Sequence, residues 1–121
     1  MPPPTDGTPS RGAQAEDLAA RHLERQGLRL VARNFRTRHG EIDLVMRDGP
    51  TLVFVEVRLR STRGYGGAAE SITAAKRARL VAAAQGYLAQ LGREPPCRFD
   101  AVLLDGLAAA NIEWLRGILD T

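Results

Sequence analysis

Two stretches of the chain repeat apolar residues at the three- and four-residue spacing of an amphipathic helix. The first covers residues 11–26, and Gly27 stands where a C-cap belongs. The second covers residues 73–91, with Thr73 as a suitable N-cap and Gly92 directly after its last apolar residue. We therefore expect one helix in each stretch.

Between and after these helices the apolar residues alternate with polar ones or run together, as they do in β-strands. The predicted strands are residues 28–35, 41–47, 51–59 and 98–105, with residues 112–115 as a candidate edge strand. In the first of them Leu28, Leu30 and Ala32 share a face, although the alternation is imperfect. The order α-β-β-β-α-β predicts an α/β fold with a central mixed sheet flanked by helices.

The second and third strands form a hairpin with one apolar face. In the second strand this face consists of Ile42, Leu44 and Met46, and in the third of Val53, Val55, Val57 and Leu59. Both apolar faces must lie on the same side of the sheet, so Glu41, Asp43 and Glu56 share the other side.

The turn of this hairpin decides which carboxylates face each other. If residues 48–49 form the turn, Glu41 pairs with Glu56 and Asp43 lies diagonal to it. If residues 49–50 form the turn, Asp43 faces Glu56 directly. Either register brings Asp43 and Glu56 within roughly 5–8 Å of each other.

Carboxylates this close repel each other unless a positive charge lies between them. That charge can be a divalent cation, since Mg²⁺ is typically held by one or two carboxylates and by phosphate oxygens. It can also come from Arg58 and Arg60, which follow Glu56 on the same face, and the cluster is then a salt-bridged surface. The apolar residues around Glu56 favour a central strand over an exposed one.

The chain has 121 residues, of which 44% are hydrophobic, and this fits one domain covering residues 11–121. Residues 1–10 contain four prolines and are predicted to be a disordered tail, and the glycine-rich residues 61–71 a mobile loop. The sequence has neither a signal-peptide pattern nor an apolar run long enough for a membrane helix. We expect a cytoplasmic protein without a membrane partner.

Positive charge is concentrated in the middle of the chain. The net charge is +3, yet residues 21–79 hold thirteen basic and six acidic residues. This distribution indicates a polyanion as partner, with an ordinary solvated surface as the alternative. The opening turns of the second helix contain Lys76, Arg77 and Arg79. The helix dipole disfavours cations there, and a bound phosphate would offset that cost.

A set of motifs in this order resembles a known family. An early helix carries Glu16, and G-E-I-D-L at 40–44 and V-F-V-E-V-R-L-R at 53–60 follow, then a glycine-containing loop, Lys76 and R-F-D at 98–100. The chain resembles the YraN-like family of predicted bacterial endonuclease-like proteins. That family is similar to archaeal Holliday-junction resolvases and to the restriction-endonuclease-like PD-(D/E)XK superfamily.

The resemblance implies a restriction-endonuclease-like core and a role for several residues. Asp43 and Glu56 would be ligands of Mg²⁺ or Mn²⁺, and Glu16 a helix-borne acid near the metal. Arg58 occupies the position at which the family usually has lysine; arginine keeps the charge and binds phosphate, but cannot act as a base. The nucleic-acid-binding residues would be Arg58, Arg60, Lys76, Arg77 and Arg79.

The resemblance thus predicts a metal-dependent nuclease that hydrolyses DNA phosphodiester bonds, with branched or junction DNA as a substrate class. The resolvases act as dimers, so it also implies a homodimer. Arg58 leaves a second function open, a nucleic-acid-binding module that has lost cleavage. A third is a protein-interaction factor that keeps only the fold.

Overall fold

A computed structural model describes residues 10–60, 73–107 and 111–119. The elements are α1 (Arg11–Arg25), β1 (Arg29–Thr37), β2 (Gly40–Asp48), β3 (Thr51–Arg60), α2 (Ala74–Leu91), β4 (Cys97–Asp105) and β5 (Ile112–Leu115). This confirms the predicted α/β class, the order of elements and the short last strand. Apart from Ser10, the predicted tail lies outside the described residues, as does the predicted loop at residues 61–71.

Local capping fixes where the two helices begin and end. The Ser10 hydroxyl accepts a hydrogen bond from the Ala13 N–H at 3.1 Å, and Thr73 accepts one from the Lys76 N–H at 3.2 Å. Gly92 ends α2 in the left-handed conformation, at φ 78°. The predicted N-cap and C-cap of α2 are confirmed.

The strands form one sheet in the order β1-β2-β3-β4-β5. Neighbours are antiparallel except β3 and β4, which are parallel and are joined through α2. Helix α1 packs on one face of the sheet and α2 on the other, each over its own apolar cluster. The helices within the described residues are too short or too polar to span a bilayer.

Strand β1 changes face after Leu30. The pairing with β2 shifts register between Leu30 and Ala32, which is the mark of a β-bulge, and Val31 is left 47% exposed. Leu30 packs with the α1 cluster and Ala32 with the α2 cluster. The prediction that these two residues share a face is therefore wrong, because the extra residue reverses the alternation.

A second change of face occurs farther along β1 and β2. Ile42 lies in the α2 cluster, whereas Leu44 lies in the α1 cluster, so their predicted common face is also wrong. Opposite this step Asn34 has a φ of 52°, in the left-handed region that asparagine tolerates better than most residues. The regular pairing of β1 with β2 skips Asn34 and Asp43, which lie opposite each other at this step.

The hairpin of β2 and β3 settles the open question of register. Asp48 pairs with Thr51 and Leu44 pairs with Val55, so residues 49–50 form the turn. This is the register in which Asp43 stands opposite Glu56.

Candidate functional site

The candidate site lies at the end of the β2–β3 hairpin farthest from its turn. Counted from the turn, the regular pairing of β2 with β3 ends at Leu44 and Val55. Asp43 is the next residue of β2 beyond this last pair. Beyond it, the Val57 N–H donates a hydrogen bond of 2.8 Å to Asp43 Oδ2. A side-chain carboxylate therefore occupies the place of a backbone carbonyl, and the two strands open around it.

Burial and neighbouring acids make Asp43 hard to ionise. They raise the pKa of its carboxyl from the ordinary 3.8 to about 7, and burial contributes most, followed by the charge of Glu56. The hydrogen bond from Val57 acts in the opposite direction, and Glu16 and Glu41 raise the pKa further. A nearby cation would therefore stabilise the state in which Asp43 and Glu56 are both ionised.

An open cavity of about 110 Å³ adjoins Glu56, whereas Asp43 is not among its lining residues. Its lining residues combine two acids with three cations and are Glu41, Glu56, Arg58, Lys76 and Arg79. Burial raises the pKa of Glu56, while Lys76 and Arg58 lower it. The carboxylates of the sheet and the cations of α2 therefore face each other across one small space.

A glycine allows α2 to come this close to the sheet. Gly40 is buried, and a Cβ at this position would overlap the backbone carbonyl of Arg79. Any larger residue would push the start of α2 away from β2. The glycine of the G-E-I-D-L motif thus lets the backbone of Arg79, a lining residue, approach β2.

Glu16 reaches the site from α1. Burial raises the pKa of its carboxyl, and a hydrogen bond from the Asn34 side chain together with the charge of Arg33 opposes that rise. Arg33 is itself bound to Asp17 at 2.7 Å. Glu16 is close enough to Asp43 to influence its pKa, although it is not among the residues that line the cavity.

The predicted phosphate-binding residues separate into two groups. Arg58, Lys76 and Arg79 line the cavity. Arg60 instead forms an ion pair with Asp105, its neighbour across the parallel strands, with Nε 2.9 Å from Oδ1. Arg77 follows Lys76 in α2 but is not among the described residues that line the cavity.

The comparison with known proteins concerns this same part of the chain. The model of the family described as "Uncharacterised protein family UPF0102" matches residues 15–104, which include every residue of the site. The chain belongs to the UPF0102 family. This confirms the YraN-like family that the motifs predicted.

The relatives share the sequence over almost its full length. A UPF0102 protein of Cupriavidus taiwanensis is 62% identical, over 92% of this chain and 83% of its own. One from Dechloromonas aromatica is 61% identical, over 92% of this chain and 89% of its own. One from Nitrosomonas europaea is 52% identical, over 92% of this chain and 94% of its own.

Two residues of the UPF0102 site were not predicted as site residues. Glu41 lines the cavity and lies 3.4 Å from Arg36, measured from Oε2 to Nε. Asn34 binds the Glu16 carboxylate from the twisted part of β1. The position of Glu41 two residues before Asp43 was a usable signal, whereas nothing in the sequence marked Asn34 as left-handed.

The donor set is suited to a hard cation held in part by other ligands. Within residues 10–60, 73–107 and 111–119, no three acidic, histidine or cysteine side chains converge tightly enough to enclose a metal ion. Asp43 and Glu56 offer two neighbouring carboxylates, and Glu56 lines the open cavity. Mg²⁺ is commonly bound by such a pair together with waters and substrate phosphate, so these residues fit it.

Proposed function

We propose that this UPF0102 protein is a divalent-metal-dependent nuclease that hydrolyses phosphodiester bonds of DNA. One observation carries the proposal: two neighbouring half-buried carboxylates both have a raised pKa, and one of them, Glu56, lines a cavity whose opposite wall is cationic. A metal ion would satisfy the carboxylates, and a phosphate diester would satisfy the cations. Few ligands other than a metal–phosphate pair have this distribution of charge.

Asp43 and Glu56 would hold Mg²⁺ or Mn²⁺, with Glu16 assisting from behind Asp43. When bound, such an ion neutralises charge on the phosphate and activates water. The Val57 N–H fixes the orientation of the Asp43 carboxylate, since it occupies one of its two oxygens. The other oxygen remains available to the ion.

Arg58 and Arg79 would bind the scissile phosphate from two sides, one from β3 and one from α2. A guanidinium offers paired N–H donors that match two phosphate oxygens. In the reaction the oxygen of one water bonds to phosphorus as the bond from phosphorus to the leaving ester oxygen breaks. The water gives up one proton to solvent and the leaving oxygen takes one up.

The surface beside the cavity supports an extended polyanion as substrate. The β1–β2 turn, which lies against α2 at Gly40, carries exposed Arg38. Arg38 would contact the DNA backbone beside the phosphate bound by Arg58 and Arg79. Branched or junction DNA is the substrate class that we favour, and a homodimer would present two such sites to it.

A nucleic-acid-binding module without cleavage is the second candidate. It is favoured by Arg58, since a guanidinium stays protonated and cannot serve as a base. The same basic wall would bind DNA in that case, and the carboxylates would have no catalytic use.

Cleavage of labelled DNA distinguishes these candidates. Duplex, single-stranded, flap, fork and four-way junction DNA are incubated with the protein in Mg²⁺, Mn²⁺ or EDTA. Asp43→Asn and Glu56→Gln remove one charge each without changing side-chain size. Glu113→Gln is the matched control, because Glu113 is an exposed residue of β5, the edge strand on the far side of β4.

Metal-dependent cutting by the parent and the control, but by neither site variant, is the expected result. Salt-sensitive binding without any cutting would favour the binding module instead. If the parent neither cuts nor binds DNA at low salt, both proposals fail, and an interaction with other proteins becomes the candidate.

A further inference from the structure

Lysine occurs once in this chain, in the candidate site. The sequence contains sixteen arginines and a single lysine, Lys76. All other cationic side chains of the cavity, and every ion pair of the described residues, use arginine. An amine at position 76 is therefore the exception in a chain that otherwise uses guanidinium groups.

The place of Lys76 is unfavourable for a cation considered by itself. It lies in the first turn of α2, where its N–H donates to the capping Thr73 hydroxyl and where the helix dipole repels positive charge. Arg58 repels it as well. Burial and Arg58 together lower the pKa of Lys76 despite the attraction of Glu56 and Asp43.

The neighbouring carboxylates explain why a cation is found at this unfavourable position. It shares the cavity with Glu56 and Arg58, and its charge is felt by the Glu56 carboxylate more strongly than that of any other cation. An ammonium group is a compact point charge with three donors on a flexible stem, whereas a guanidinium is a flat fork. An ammonium therefore needs less room than a guanidinium and can direct its three N–H donors to different acceptors.

We propose that Lys76, from α2, is the catalytic amine of the nuclease site, and that Arg58, from β3, only binds phosphate. The Lys76 Nζ contacts the attacking water and a non-bridging phosphate oxygen, orients the first and neutralises charge on the second. It keeps its protons throughout, and the balance of the hydrolysis is the one given above. The inference rests on the proposed function, because it assigns the part that one residue has in that reaction.

Substitutions that move the amine test this role. Lys76→Arg keeps the charge but replaces the amine, and we expect DNA affinity in EDTA to stay within about twofold while single-turnover cleavage falls about 10²–10³-fold. Arg93→Lys is the control for the same exchange of side chains outside the site, since Arg93 is exposed beyond the far end of α2, and it should change the cleavage rate by less than about threefold. The double variant Arg58→Lys/Lys76→Arg puts the single amine of the cavity on β3 instead.

The double variant separates an amine in the site from a residue that merely supports α2. We expect it to cut at least about tenfold faster than Lys76→Arg, because the cavity again contains one lysine. If Lys76→Arg cuts as fast as the parent, or if the double variant is no faster than Lys76→Arg, the proposal is overturned.

A second readout does not depend on activity. Because the chain has one lysine, protein grown on ¹³Cε-lysine and freed of any tag gives a single lysine resonance. Mn²⁺ should broaden that resonance in the parent and leave it sharp in Asp43→Asn/Glu56→Gln, since Lys76 and these carboxylates border the same site. A resonance that Mn²⁺ leaves sharp in the parent would overturn the placement of Lys76 beside the ion.

These outcomes distinguish the inference from the function on which it rests. A parent that cuts no DNA with either metal refutes the nuclease, and the catalytic role of Lys76 with it. A parent that cuts together with an equally active Lys76→Arg refutes the role of Lys76 alone.

Discussion

Replacing Asp43 by asparagine should stabilise the metal-free protein while it removes a proposed metal ligand. Asparagine resembles the protonated acid in size, and its Oδ1 can still accept the hydrogen bond from Val57. The substitution therefore removes mainly the cost of a buried charge beside Glu56.

The pKa of Asp43 gives the size of this effect. The carboxyl has an ordinary pKa of 3.8 and one of about 7 in the folded protein. A difference of about three pKa units corresponds to about 4 kcal/mol, because each unit is worth about 1.4 kcal/mol. Since Asp43 keeps some contact with solvent, we expect about 2–4 kcal/mol.

The sign of the pH dependence follows from proton binding. Between pH 4 and 7 the unfolded chain has lost the proton of Asp43 and the folded chain still holds it. The stability that protonated Asp43 contributes is therefore complete below about pH 4 and is lost as the pH rises through about 7. The asparagine variant loses no stability through this group, because its amide does not titrate. Its free energy of unfolding relative to the parent therefore increases up to about pH 7 and is constant above it.

Urea unfolding of both proteins at pH 4, 6 and 8, in EDTA, measures this difference. Asp17→Asn is the control, because its ion pair with Arg33 is on the surface, where the two side chains are 44% and 39% exposed. That substitution should cost no more than about 1 kcal/mol at any of these pH values. If the difference in free energy of unfolding between parent and Asp43→Asn stays constant from pH 4 to pH 8, the pKa of Asp43 is not raised in the folded protein.

Three further substitutions test the packing of the fold, each by urea unfolding against the parent. Gly40→Ala should lower the free energy of unfolding by about 1–3 kcal/mol, because the new methyl group overlaps the Arg79 carbonyl; unchanged stability would mean that α2 does not press on β2. Trp114→Phe should cost about 1–3 kcal/mol, because the indole N–H donates at 2.9 Å to the fully buried Asp100 carboxylate. Leu103→Ala should cost about 2–5 kcal/mol, and a loss below 1 kcal/mol would contradict its complete burial.

Features that depend on a few consecutive residues were predictable from the sequence. Thr73 and Gly92 delimit α2 because a hydroxyl at an N-cap and a glycine at a C-cap act on their own helix. The closeness of Asp43 and Glu56 followed from the pattern of the two strands, and only the choice of turn remained open. Residues 49–50 then proved to be the turn.

Features that depend on twist were not predictable. Asn34 adopts a left-handed conformation that reverses the faces of β1 and β2, and period-two alternation placed Ile42 on the wrong side as a result. The approach of Arg79 to Gly40 needs a helix from a distant part of the chain. Likewise, Asp105 follows Arg60 by 45 positions and becomes its neighbour only through the parallel pairing of β3 with β4.

The bulge in β1 also bears on how this sheet avoids aggregation. In the described sheet β1 is an edge strand with one neighbour, and a long, flat edge strand readily pairs with another chain. Here the extra residue at Val31 kinks that edge, and the exposed side chains of Arg29 and Arg36 add charge along it. The opposite edge, β5, is only four residues long. A second copy would therefore have to associate through a surface other than a sheet extended across β1, and the irregularity that turns Ala32 toward α2 also keeps separate molecules apart.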